Sequence, residues 1–97
     1  MKKKQTKKIY LDFAAATPVG EEVMKAMKPY FSRDFGNPGS IHSEGVVASK
    51  ALENARKETA KVLGARANEI IFTSGGTESN NLAVLGVANF FKRVGNG

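Results

Sequence analysis

Cysteine is missing from all 97 residues, which excludes disulfides, Cys-ligated zinc and a cysteine nucleophile within this chain. The absence fits a reducing compartment. Long apolar runs are missing too: no stretch is long enough to span a bilayer. The residues after the lysine-rich start, Ile9-Tyr10-Leu11-Asp12, are not the apolar core of a signal peptide. The expectation is a soluble, cytoplasmic protein with no membrane partner. Internal repeats are absent, as is low complexity beyond the first lysines. Two nucleotide-binding patterns are also missing. No Gly-Lys-Ser/Thr stands at P-loop spacing, and the adjacent glycines Gly75 and Gly76 do not form a G-x-G-x-x-G fingerprint.

What is present is an ordinary globular composition, 41% hydrophobic and 25% charged, in a length that holds one small domain. The net charge of +6 invites a nucleic-acid reading. However, Lys2, Lys3, Lys4, Lys7 and Lys8 all lie in the first eight residues, and without them ten basic residues face nine acidic ones. The excess is thus a basic tail, residues 1–8, ahead of a nearly neutral body, residues 9–97. No aromatic residue interleaves these lysines as a stacking platform requires, which argues against a nucleic-acid partner and for a solvated terminus.

Along the body, residues 9–13 read as a short extended segment. Thr17-Pro18 reads as a helix start, with Glu21 and Glu22 at the positive helix end. Val23, Met27, Tyr30 and Phe31 fall on one face of that helix. Asn37-Pro38-Gly39 has the composition of a turn with proline second and glycine third. A long helix is predicted over 44–63, with Ala48, Ala51 or Leu52, Ala55, Thr59 and Val62 as its buried stripe. Lys50, Lys57 and Lys61 lie off that stripe, Glu53 and Lys57 form a surface pair, and Gly64 terminates the helix. Glu69-Ile70-Ile71-Phe72-Thr73 reads as a strand. A further helix runs to about Lys92, apolar around most of its circumference and hence buried on several sides. Val94 to Gly97 reads as a loop. A lone strand followed by so apolar a helix requires a sheet that these residues do not supply. The expectation is therefore an incomplete α/β domain whose partner strands lie in other sequence or another chain.

The segment that carries chemistry is Ile71-Phe72-Thr73-Ser74-Gly75-Gly76-Thr77-Glu78-Ser79-Asn80. Two glycines let backbone approach a ligand closely. The helix start offers unpaired N–H groups and a positive dipole end. Ser74, Thr77 and Ser79 add hydroxyls. Together they describe an anion site suited to phosphate. The plainer alternative is a turn between strand and helix, capped by Thr77, with no ligand.

Four segments resemble the cysteine desulfurase branch of the class V aminotransferases, in order and at similar spacing. They are Tyr10 to Pro18 (YLDFAAATP), Phe35 to His42 (FGNPGSIH), Ala55-Arg56 through Val62-Leu63-Gly64, and Glu69 through Asn81-Leu82-Ala83. The last is the most specific, close to a family signature Phe-Thr-Ser-Gly-(Gly or Ala)-Thr-Glu-Ser-(Asn or Asp)-Asn. Two small departures are Ala16, where many members carry threonine, and Gly39, where alanine or serine is usual.

The resemblance implies the amino-terminal part of a fold-type-I enzyme dependent on pyridoxal 5'-phosphate (PLP). Such enzymes have a mostly parallel sheet flanked by helices, incomplete in this chain, and work as homodimers. It implies that Gly76 and Thr77 bind the cofactor phosphate through backbone N–H groups and the threonine hydroxyl. The implied activity converts L-cysteine to L-alanine and passes the sulfur, as a persulfide, to an iron–sulfur scaffold or a tRNA thiolation enzyme. The family's Ser-x-His-Lys lysine context and its persulfide cysteine are not in these residues, so no catalytic residue is assigned here, and the 97 residues alone are expected to be inactive. Ala15, Thr17, Asn37 and His42 are candidates for the substrate side. His42 alone reads equally as a solvated or hydrogen-bonded loop histidine, and Asp12 as a structural acid bonding nearby backbone. The rival readings are another class V PLP enzyme, such as a selenocysteine lyase or an aminotransferase, and a non-catalytic remnant of one.

Overall fold

The computed structural model describes residues 2–4 and 6–95. The chain divides into two units, residues 1–50 and 51–97. In the first unit, Lys2, Lys3, Lys4, Lys7 and Lys8 are exposed and outside regular structure. Residues 9–13 do not form a strand. They lead into a turn in which the Asp12 carbonyl accepts the amides of Ala15 (3.1 Å) and Ala16 (3.3 Å). The single proton of the Tyr10 hydroxyl is shared between the carbonyls of Asp12 (3.0 Å) and Ala16 (3.2 Å). The expected structural role of Asp12 is therefore filled by its main chain.

Helix α1 (Glu21–Met27) starts later than the Thr17-Pro18 signal indicates. Proline biases the residue before it toward extended backbone, and Thr17 and Pro18 lie outside regular structure. Gly20, extended at φ −63° and ψ 147°, takes the cap position with no side-chain bond. Glu21 and Glu22 occupy the first turn, as the charge pattern indicated. At Lys28 the helix passes into α2 (Pro29–Ser32), because Pro29 has no N–H to continue the ladder. The expected apolar face of Val23, Met27, Tyr30 and Phe31 is uncovered among the described residues.

The Asn37-Pro38-Gly39 turn forms as expected. Ser40 N–H closes it on the Asn37 carbonyl at 2.9 Å, and Gly39 N–H donates to the Asn37 side chain at 2.9 Å. Gly39 does not take a positive φ, which makes the turn type I. It leads into α3 (Ser43–Leu63), within a residue of the predicted start. The first two turns of α3 are buried at Gly45 and Ala48. Gly45 is obligatory there: a Cβ on it would lie 2.2 Å from the Ser40 carbonyl oxygen.

In the second unit α3 ends at Gly64, whose φ of +65° is the only positive value among the described residues. Gly64 N–H donates to the Lys61 carbonyl (3.3 Å) and Ala65 N–H to that of Ala60 (2.8 Å). This 5→2 and 6→1 pair is a Schellman cap, which explains the terminator read from the sequence. The fold-back buries Ala60 and half-buries Arg56 and Thr59. Val62, expected on the buried stripe, is 85% exposed, and Ala55 is exposed as well. The inner face is set by the returning chain rather than by apolar spacing. Glu53 pairs with Arg56 at 3.1 Å rather than with Lys57.

A 3₁₀ turn (Ala67–Glu69) follows, held by Arg66 N–H on the Glu69 carboxylate at 2.7 Å. The expected strand 69–73 is not assigned. Ile70 is extended at φ −95° and ψ 124°, yet no strand exists among the described residues to pair with it. An isolated extended segment makes no ladder. Helix α4 (Gly76–Gly95) runs past the expected end near Lys92 and replaces the loop read at Val94 and Gly95; Asn96 and Gly97 lie outside the described residues. Its large apolar side chains, from Leu82 to Val94, are each 47–68% exposed. No helix among the described residues is long and apolar enough to cross a membrane.

Candidate functional site

The turn from Thr73 to Ser79 is built from its own hydroxyls. The Thr73 hydroxyl donates to the Gly75 carbonyl at 3.2 Å and lies 2.5 Å from Ser79 Oγ. A hydroxyl has one proton, so Ser79 is the donor in that second contact. Ser74 gives both its N–H (3.0 Å) and its hydroxyl (2.5 Å) to one oxygen of Glu78. Ser79 N–H reaches the Gly75 carbonyl at 3.1 Å, which makes Gly75 the cap residue and Thr77 the second residue of α4. The capping role weighed for Thr77 is thus taken by glycine.

Helix geometry leaves the amides of Gly76, Thr77 and Glu78 without intrahelical acceptors. A Cβ on Gly75 or Gly76 would meet no protein atom within 4 Å, and neither glycine has a positive φ. The chain's own backbone thus forces glycine at neither position: Gly75 suits a helix cap, and at Gly76 a helical glycine costs about 0.5–1 kcal/mol relative to alanine. Without side chains there, the approach to the start of α4 is open on the protein side. Of the three hydroxyls read from the sequence, Ser74 and Ser79 belong to the turn's internal network. Thr77 is exposed, and its carbonyl accepts from the Asn81 side chain at 2.8 Å. The donor set fits a phosphate: main-chain amides at a positive helix end, one outward hydroxyl, and open space before two glycines.

The Ser74 hydroxyl, followed by the Ser74 amide, holds the Glu78 carboxyl below the ordinary glutamate range. A depressed carboxyl contributes its stabilisation at neutral pH and loses it as pH falls through the lowered value. The Ser74 amide resonance should therefore shift in a titration with its midpoint below that of an ordinary glutamate. Ser74→Ala should move the Glu78 midpoint back up. A midpoint at or above the ordinary value in the unchanged chain would contradict the contact.

Ala15, Thr17, Asn37 and His42 belong to residues 1–50, while Gly76 and Thr77 belong to residues 51–97. Ala15 sits in the turn closed on Asp12, and Thr17 is exposed. Asn37 is engaged with Gly39. His42 Nδ1 accepts Gly45 N–H at 3.2 Å and so caps α3. The same nitrogen lies 3.2 Å from Glu44 Oε2; it can bond there only as Nδ1–H, a form in which it no longer accepts the Gly45 amide. Imidazole is outside the usual capping set, so residue type gave no cue to this role. Spacing likewise gave no cue to the contacts of Arg56 with Ile70 and Phe72, although its position in the third resemblance segment marked the region. Among the described residues no group of three or more acidic or histidine side chains is placed to hold a metal ion.

Residues 9–96 match the family Aminotransferase class-V. The chain belongs to that family. The matched span contains all four resemblance segments. Curated relatives narrow the likeness: cysteine desulfurase IscS of Dictyoglomus turgidum is 56% identical over 82 residues, covering 84% of this chain and 21% of the relative. The enzymes of the same name from Rickettsia bellii (57% over 84 residues; 86% of this chain, 20% of the relative) and Rickettsia prowazekii (54% over 90 residues; 92% and 22%) are similar. The chain spans about a fifth of the length of these relatives. No solved structure matches it. Class-V aminotransferases, cysteine desulfurases among them, depend on PLP, whose phosphate is the type of anion the Gly75–Thr77 turn suits.

Proposed function

We propose that this chain supplies the cofactor-phosphate site of a PLP-dependent cysteine desulfurase, which converts L-cysteine to L-alanine and passes on the sulfur as a persulfide. The observation that carries the reading is the open diglycine start of α4, inside a stretch 54–57% identical to three IscS desulfurases. The amides of Gly76 and Thr77 and the Thr77 hydroxyl hold the phosphate and neutralise part of its charge. Ser74, Glu78, Thr73 and Ser79 keep the turn in shape. When bound, the cofactor supplies an electron sink for the amino-acid substrate.

Ala15 and Thr17, with the loop from Asn37 to His42, face the substrate side in this reading. Asn37 and His42 act there as framework, because their side chains are engaged with backbone. Ile70–Thr73 joins a mostly parallel sheet of the fold-type-I kind, α4 packs on that sheet, and the enzyme is a cytoplasmic homodimer that delivers sulfur to an iron–sulfur scaffold or tRNA thiolation protein. The relatives' names favour desulfurase over selenocysteine lyase or aminotransferase. The native gene product, loaded with PLP and given L-cysteine and a thiol reductant, should release L-alanine and sulfide in equal amounts. Transamination of L-cysteine, or turnover of L-selenocysteine alone, would overturn the assignment.

A further inference from the structure

Among the described residues Arg56 is the one arginine that is not exposed, with 22% of its side-chain surface accessible. Its guanidinium makes three different contacts. Nε donates to Glu53 Oε1 at 3.1 Å, Nη1 donates to the Ile70 carbonyl, and the group lies 5.1 Å from the centroid of the Phe72 ring. Glu53 lies one turn back on α3, so that pair fixes the arginine to its own helix. Ile70 and Phe72 lie two residues apart in the extended segment ahead of the diglycine turn. One contact grips its main chain and the other grips a side chain, which fixes both its position and its rotation. The next residue, Thr73, is half-buried and bonds to Gly75 and Ser79. A continuous path therefore runs from α3 through Arg56 and the segment 70–73 to the amides of the turn.

We propose that Arg56 is a positioning residue for the phosphate cradle: it anchors the entry segment on α3 and so aims the Gly76 and Thr77 amides. The role is inferred from the geometry of α3 and the returning chain, and its link to phosphate rests on the reading given under Proposed function. Lysine cannot replace it. A single ammonium is a point charge without the planar fork that reaches a carboxylate and a carbonyl while lying over a ring.

The test uses the native gene product with Arg56→Met, Arg56→Lys and, as the separate probe of the phosphate reading, Thr77→Val. Without PLP, exchange of the Ile70 and Ser74 amides, the bonded amides of the segment that enters the turn, should quicken on the order of tenfold in both Arg56 variants, the scale of one lost hydrogen bond, while α3 keeps its protection. With PLP at saturation, the phosphorus-31 resonance of the cofactor should move in both variants, and lysine should not restore it. Protection and resonance unchanged in Arg56→Lys would overturn the proposal even if Arg56→Met fails to fold. If Thr77→Val changes neither PLP binding nor the phosphorus-31 resonance, the phosphate reading fails by itself, and faster exchange at Ile70 and Ser74 in the Arg56 variants still supports the anchor while normal exchange removes it.

Discussion

Replacing Thr77 with valine in the native gene product is expected to weaken PLP retention by about tenfold to a hundredfold, the range for a lost hydrogen bond to a charged group. The substitution keeps the shape of the side chain and removes the one hydroxyl of the turn that lies outside its internal network. Valine at an exposed early helical position costs only a few tenths of a kcal/mol in propensity, roughly, so α4 should keep its helical signal. The companion substitutions separate backbone from side chain. Gly76→Ala keeps the amide, and the family signature accepts alanine there, so retention should change little. Gly75→Ala places a methyl group in the open approach and should weaken retention without unfolding the turn, since no protein atom lies within 4 Å of the new carbon. Equilibrium dialysis of PLP measures all three. Retention in Thr77→Val equal to that of the unchanged protein would remove the hydroxyl from the site.

Gly45→Ala should be the most damaging glycine substitution in the first unit. Its new Cβ would stand 2.2 Å from the Ser40 carbonyl oxygen and 2.7 Å from the Ser40 carbonyl carbon and Cβ. These are mostly main-chain atoms that no rotamer change can clear. Gly36→Ala meets the reciprocal obstacle, the Glu44 carbonyl oxygen at 2.3 Å. Overpacking of this sort costs about 1–3 kcal/mol and moves backbone. Amide protection in the first turn of α3 should fall, and the His42 cap on Gly45 should open with it. Gly86→Ala is the control: it lies within α4 with nothing within 4 Å, and alanine favours a helix interior by about 0.5–1 kcal/mol. If Gly45→Ala keeps full protection at Ser43–Val47, the loop does not press on the helix as described.

These glycines show which features were legible in the sequence. Gly64 reads as a helix stop because only its backbone freedom suits a left-handed cap, and the Schellman bonds follow. Asn37-Pro38-Gly39 reads as a turn because each residue favours its place in it. The open helix start at Gly75 and Gly76 was legible for the same local reason, since adjacent glycines before a helix expose amides whatever the rest of the chain does. Features decided by a distant partner were not legible. The inner face of α3 depends on the chain that folds back at Gly64, so Ala60 is buried and Val62 is not. Residues 69–73 have strand composition, yet a strand exists only beside another strand. Glu53 chose Arg56 over Lys57 because the guanidinium also had Ile70 and Phe72 to hold, a fact absent from any i,i+4 rule.

A structure of the native gene product grown with PLP examines the central claim most directly. The account predicts phosphate oxygens about 3 Å from the Gly76 and Thr77 amide nitrogens and from Thr77 Oγ1, the ordinary hydrogen-bond separation. A cofactor phosphate held by other residues, with the start of α4 facing only solvent or packed protein, would contradict it.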